Sequence, residues 1–273
     1  MRAVLACSSG VIFMEIGVYL PQVSITWEDL RATVQACDAL GIDSVWFMDH
    51  LYPPTLPHVP SFEAWTTAAA LAPVTERIRF GHLVLCNGFR HPALLAKMAI
   101  TLDHASGGRL ALGLGSGSYA PEFAEFGMPF PSARERAVRL DEALTVIRSL
   151  FTDASSSFEG SYYALRAAPS LPRPLQQPHP PIHVGGAGER RTLPLVARHA
   201  DVWNCPTYAL AERRFPGPGW GFAAGGYCGT PDDVVARIRA RQQLGVDGFI
   251  FFLHDRAQPE TLRLLATEVL PHL

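Results

Sequence analysis

Seven short apolar runs, each followed by a segment with helical spacing or its loop, leave this chain few architectures. The runs are Ile16–Leu20, Asp43–Met48, Ile78–Cys86, Arg109–Gly115, Ile182–Gly186, Asp201–Asn204 and Gly248–Leu253. Runs of four to eight residues that are apolar almost throughout read as strands covered on both faces, as in parallel sheets. Parallel neighbours need helical crossovers, and the intervening segments supply them. A chain of 273 residues has the length of one barrel of this kind. The expected fold is therefore an α/β, TIM (β/α)8 barrel over residues 14–273.

The helices are marked by their ends. Thr26 with Asp29 three residues on is a capping box, and Gly41 is the stop. A second helix is expected around Ser61–Leu71, before Pro73. Pro92 opens a third, which Gly107-Gly108 ends. Ser132 and Glu135 make another capping box. Pro194 would break a helix already begun, so the helix running to His199 is expected to start near Thr192. Thr230-Pro231-Asp232-Asp233 starts the next, and Pro259–Leu270 is a terminal helix. Thr152–Pro181 has no period and reads as an insertion or lid. Pro206–Gly229 is rich in glycine and proline and holds the place of the missing strand. Residues 1–13 precede a clean strand start at Met14 and read as an upstream extension rather than a signal peptide.

Bulk properties bound the partners. A formal net charge of −2 argues against nucleic acid. No apolar run is long enough to cross a membrane. The five cysteines are scattered and odd in number, which fits reduced thiols in a cytoplasmic protein. The ten histidines show neither His-x-His at the first strand nor His-Glu-x-x-His, so no metal is expected.

The chemistry concentrates at strand ends. Val45-Trp46-Phe47-Met48 runs directly into Asp49 and His50, and barrel active sites open at the C-termini of the strands. The two are adjacent, so at most one faces a reacting centre. The alternative is a turn cap and a satisfied rim histidine. Gly113-Leu-Gly115-Ser116-Gly117-Ser118 follows the fourth strand, where glycines let backbone N–H groups approach an anion; a tight rim turn is the other reading. Val184-Gly185-Gly186-Ala187-Gly188 follows a later strand, a common phosphate position in barrels.

Taken together, Met14–Gln22, Asp43–His50, Phe89-Arg90-His91-Pro92, Ser106–Gly117, Phe130–Leu150, Pro180–Asn204 and Gly229–Phe252 resemble the luciferase-like monooxygenase family, the bacterial luciferase superfamily. The resemblance implies a barrel that binds a flavin or the deazaflavin coenzyme F-420 (F420) at the strand C-termini. The Asp-His pair is similar to the F420 branch, where flavin-using relatives more often carry Glu-His. It implies His50 and Asp49 beside the ring system, with His50 moving a proton. It implies cofactor contacts at Asp49, Leu83, Val84 and Cys86, with a non-proline cis peptide at Leu83–Val84. It also implies that Gly115, Ser116, Gly117 and Ser118, with Val184, Gly185, Gly186, Ala187 and Gly188, receive the polar chain and phosphate. The implied reaction is hydride transfer between F420 and a small organic substrate, in a homodimer. FMN with a separate flavin reductase is the alternative, giving a monooxygenase.

Two departures qualify the resemblance. Ser118 and Pro54 stand where the sugar-phosphate dehydrogenases of the branch carry glutamate and tryptophan, which disfavours that substrate. Twenty-four residues, Cys205–Cys228, stand where two helices and the seventh strand are expected, with Trp220–Ala224 as a strand remnant. That shortening opens a further alternative, a non-catalytic flavin- or deazaflavin-binding protein.

Overall fold

The computed structural model describes residues 14–205, 230–253 and 255–273. Its centre is a curled parallel sheet of eight strands. These are β1 (Glu15–Tyr19), β2 (Ser44–Phe47), β3 (Arg79–His82), β4 (Leu85–Cys86), β5 (Leu110–Gly115), β8 (Ile182–Gly185), β9 (Val202–Asn204) and β10 (Gly248–Phe252). The order round the sheet is β10-β1-β2-β3-β5-β8-β9, and β4 pairs with β5. All seven expected runs are strands, and the third is divided into β3 and β4 by a cis peptide between Leu83 and Val84. Among the described residues, β9 and β10 have no further neighbour on their outer edges. The expected shortening, the strand remnant at Trp220–Ala224 and the 1–13 extension lie outside the described residues.

The organising strand shows why the sheet curls round a filled interior. All four residues of β2 are buried. Val45 and Phe47 pack with the helix-facing core, and Phe47 lies 6.4 Å from Phe80 ring to ring. Trp46 points the other way, as alternation requires. Its indole fills the space that Gly17 and Gly81 leave: a Cβ on Gly81 would stand 2.3 Å from the ring. Its Nε1 donates to Ser44 Oγ at 2.9 Å.

Helices α1 (Trp27–Ala39), α3 (Pro92–Ala105), α5 (Ala133–Thr152), α6 (Thr192–His199) and α7 (Pro231–Gln242) begin where their signals stand. Thr26 accepts from Asp29 N, Ser132 from Glu135 N, and Thr230 and Asp233 form a reciprocal capping box. Helix α2 (Ala64–Leu71) begins later than Ser61 because the Glu63 carboxylate caps it, accepting from Trp65 N and Thr66 N. The terminal helix α8 (Pro259–Leu264) gives way to a π turn over Leu265–Val269.

One expectation is corrected, and one helix is added. Between β5 and α5 lies α4 (Ala120–Glu125), which the sequence analysis did not mark, with Pro121 in its first turn. Thr152–Pro181 is not irregular throughout: β6 (Ser155–Glu159) and β7 (Ala164–Pro169) form an antiparallel hairpin. Glu142 of α5 accepts from Ser161 N, Tyr162 N and Tyr163 N and so ties the hairpin tip to that helix.

Candidate functional site

The C-terminal ends of β2, β4, β5 and β8 meet at one rim, and the expected site residues stand there. Asp49 is buried, and both of its carboxylate oxygens are taken. Oδ2 accepts from Cys86 N at 2.7 Å and from Arg90 Nη1 at 2.8 Å, and Oδ1 accepts from Arg90 Nη2 at 3.0 Å. Arg90 also donates to Glu63 Oε1 at 2.5 Å. Burial works against the guanidinium's charge, but Asp49 and Glu63 outweigh it and hold its pKa above the ordinary value. Asp49 thus ties the end of β2 to the end of β4 and to the loop before α3.

His50 points elsewhere and is half-buried. Its Nδ1 lies 2.9 Å from Glu122 Oε2. Glu122 sits in the first turn of α4 with its side chain 1% exposed, and its Oε1 accepts from Leu51 N. Tyr119 stands edge-on to His50, with ring centres 6.3 Å apart, and its hydroxyl accepts from Thr55 N at 3.0 Å. Three hydrogen bonds and one ring contact therefore fasten the loop after β2 to the loop and helix after β5. Among the described residues nothing hydrogen-bonds His50 Nε2.

The glycines have two roles. Val84 projects over β5 and β8, where a Cβ on Gly115 would stand 2.6 Å, and one on Gly185 2.7 Å, from its methyl carbons. Those two glycines make room for the chain itself. Gly117 lies beside the Cys86 thiol and has φ +81°, a conformation that favours glycine. Burial pushes that thiol up to about 12, so it stays protonated and packs as an apolar group.

The register pairs Leu114 with Val184, which sets residues 116–118 beside residues 186–188. Gly186 has φ +123°, its N–H donates to Asn204 O, and its carbonyl accepts from Trp203 Nε1. The Gly188 carbonyl accepts from the N–H groups of Arg191, Thr192 and Leu193, which starts α6. Among the described residues, the N–H groups of Gly117, Ser118, Ala187 and Gly188 donate to no one, and the Ser116 and Ser118 hydroxyls have no partner. Asn87, at the end of β4, keeps a buried carbonyl oxygen without a partner among the described residues. Its amide donates to Tyr163 OH at 3.4 Å, so the hairpin tip reaches this rim.

The rim therefore divides into a histidine with one open nitrogen and a pair of loops with free donors. Sequence reasoning placed both but missed Glu122. The signal available was Pro121-Glu122, a proline and an acid suited to the first turn of a helix.

Comparison with known proteins matches this arrangement to one family. The sequence model described as luciferase-like monooxygenase matches residues 10–214. An F420-dependent glucose-6-phosphate dehydrogenase of Amycolatopsis mediterranei (strain U-32) is 37% identical over 175 residues, 63% of this chain and 50% of its own length. An uncharacterized protein of Mycobacterium tuberculosis (strain ATCC 25618 / H37Rv) is 34% identical over 216 residues, 73% of this chain and 72% of its own. The chain spans about half the length of the dehydrogenases it matches. Among solved structures, the coenzyme F420-dependent tetrahydromethanopterin reductase from Methanopyrus kandleri superposes with a TM-score of 0.74. The two are 18% identical, and the match covers 95% of this chain and 99% of that one. An F420-dependent secondary alcohol dehydrogenase gives 0.72 at 18% identity over the same 95% of this chain and 99% of its own. At such identity these two establish the shared fold. The strand order, the rim and the match over residues 10–214 agree: this chain belongs to the luciferase-like monooxygenase family.

Proposed function

We propose that this protein is an oxidoreductase that binds coenzyme F420 at the strand C-termini, with His50 moving a proton to or from a small organic substrate. The observation that carries the reading is His50 itself: a rim histidine anchored through Nδ1 to a buried carboxylate, with Nε2 open. Histidine is the side chain whose protonation changes near neutrality, which suits it to the task. The names of the F420-dependent relatives support the choice of cofactor.

The residues present fit such a group. Free N–H groups at Gly117, Ser118, Ala187 and Gly188, with the Ser116 and Ser118 hydroxyls, are donors suited to a phosphate and a polar chain. Val84 and Cys86 offer an apolar wall. When bound, a deazaflavin supplies a carbon that accepts or donates a hydride. This chain's residues do the rest. Asp49 and Arg90 build the rim, and His50 Nε2 exchanges a proton with the substrate oxygen.

In this reading the substrate is not a sugar phosphate. Arg90 is the cation beside the Asp-His pair, and Asp49 and Glu63 already occupy it. The protein acts in the cytoplasm as a homodimer on a small molecule. Among the described residues no helix is long and apolar enough to cross a membrane.

The test is a fluorescence titration of the purified protein with F420 and, separately, with FMN. It is followed by cofactor absorbance assays on a panel of alcohols and carbonyl compounds. Tight F420 binding with turnover that His50→Ala abolishes is the expected result. Tight FMN binding instead would make the protein a monooxygenase fed by a separate reductase. Tight binding without turnover of any compound would leave a binding protein.

A further inference from the structure

We infer that Glu122 is a positioning residue that sets the tautomer of His50, holding the proton on Nδ1 and presenting the Nε2 lone pair at the rim. The inference rests on the reading of His50 as the proton-moving group, and it adds the group that makes Nε2 competent.

A neutral imidazole carries its proton on one nitrogen or the other, and the partner of the anchored nitrogen decides which. Here that partner is a carboxylate whose orientation the main chain fixes. Leu51 N–H can only donate, so Glu122 Oε1 must accept from it. This leaves Oε2 for His50 Nδ1 at 2.9 Å. The carboxylate thus meets a nitrogen at each oxygen, the Leu51 main chain at Oε1 and the imidazole at Oε2. The proton of the second bond then belongs to the imidazole, as Nδ1–H donating to Oε2.

The neighbouring acid does not compete for the role. Both oxygens of Asp49 are occupied by Cys86 N and Arg90. Tyr119 meets the His50 ring edge-on and leaves Nδ1 to Glu122. With Nδ1–H held, Nε2 is the nitrogen that takes a proton from a substrate hydroxyl. The imidazolium so formed donates to Glu122 through Nδ1 and releases the proton from Nε2.

The experiment is 15N NMR of the histidine side chains in the full-length protein, above the pH at which His50 is protonated, with His50→Gln to assign the signal. In the wild type, His50 should show a protonated Nδ1 and a bare Nε2. Glu122→Gln keeps the volume, and its carbonyl must still serve Leu51 N–H. The amide NH2 then faces Nδ1, which has to accept, so the proton moves to Nε2. For any substrate turned over, kcat should fall on the order of 10²–10⁴-fold with KM and F420 affinity unchanged. A wild-type spectrum with the proton on Nε2 overturns the inference without need of any variant, and so does an unchanged tautomer in folded Glu122→Gln. A switched tautomer with kcat intact supports the hold of Glu122 on His50 and overturns instead the assignment of proton transfer to His50.

Discussion

The adjacent pair Asp49 and His50 shows how one strand end serves two ends at once. Successive side chains leave a strand in opposite directions, so a single chain segment can deliver one group to the scaffold and one to the rim. The contacts divide the pair in that way. Asp49 receives Cys86 N–H and two Arg90 nitrogens, while His50 keeps Nε2 open. Asp49→Asn keeps the shape and the bond to Cys86 but leaves a half-buried guanidinium with Glu63 as its one charged partner among those described. Loss of one partner from such a pair costs roughly 3 kcal/mol. A urea titration should show a lower midpoint for this variant and little change for His50→Ala. Full loss of turnover in Asp49→Asn with an unmoved midpoint would make Asp49 the reacting group instead. The pair was legible from sequence because it ends an apolar run. Glu122 was not, because its contact with His50 spans 72 positions and exists only once β2 and β5 are both in register with β3, which lies between them.

At the scale of elements, legibility followed burial. The central strands announced themselves, because a strand covered on both faces must be apolar throughout, and β2 and β5 are buried over their whole length; β9 and β10, at the sheet's two ends, are only half-buried and were legible from their apolar sequence alone. The hairpin β6–β7 did not. It lies on the outside of α5, carries serines and alanines, and buries few of its positions, so no alternation marks it. Helix α4 was hidden by its length of six residues and by Pro129 and Pro131 just beyond it. The role of glycine in β5 was only half visible. Gly113 read as freedom for a ligand, yet a Cβ there would stand 2.0 Å from the His82 carbonyl oxygen. That oxygen is main chain and cannot step aside, so β3 and β5 would have to separate. Gly113→Ala should cost roughly 3 kcal/mol or more, an overpacking penalty at the upper end of its range. Thr230→Ala, which removes one half of the α7 capping box, should cost about 1 kcal/mol. Thermal or urea unfolding of the two variants should rank them in that order, and a Gly113→Ala protein as stable as Thr230→Ala would mean the two strands are not held this close.

At the scale of the whole molecule, two buried histidines that the rim chemistry does not use lie on opposite faces of the sheet, His82 toward α2 and His183 toward Trp46 inside, and they set how the fold responds to acid. His82 ends β3 with its ring stacked 5.3 Å from Trp65, its Nε2 3.2 Å from Ala64 O and its Nδ1 without a partner among the described residues. His183 lies in β8, 4.9 Å from Trp46. Burial pushes each down to about 4; the charge of Arg79 adds to the effect at His183, and that of Asp49 opposes it at His82. Unfolded, both titrate near the ordinary value of 6.5. Between those values the unfolded chain binds protons that the folded chain refuses, so stability falls as the pH falls. The contribution is whole above pH ~6.5 and is lost toward pH ~4. At pH ~5 each histidine should already have withdrawn roughly 2 kcal/mol. Urea unfolding at neutral and mildly acid pH measures the sum. His82→Gln keeps a donor for Ala64 O and removes one of the two titrations, so its loss between the two conditions should be smaller than the wild type's by about 2 kcal/mol. Equal losses in the two proteins would show that His82 takes up its proton within the fold. The layer between the end of β3 and α2 would then be open to water.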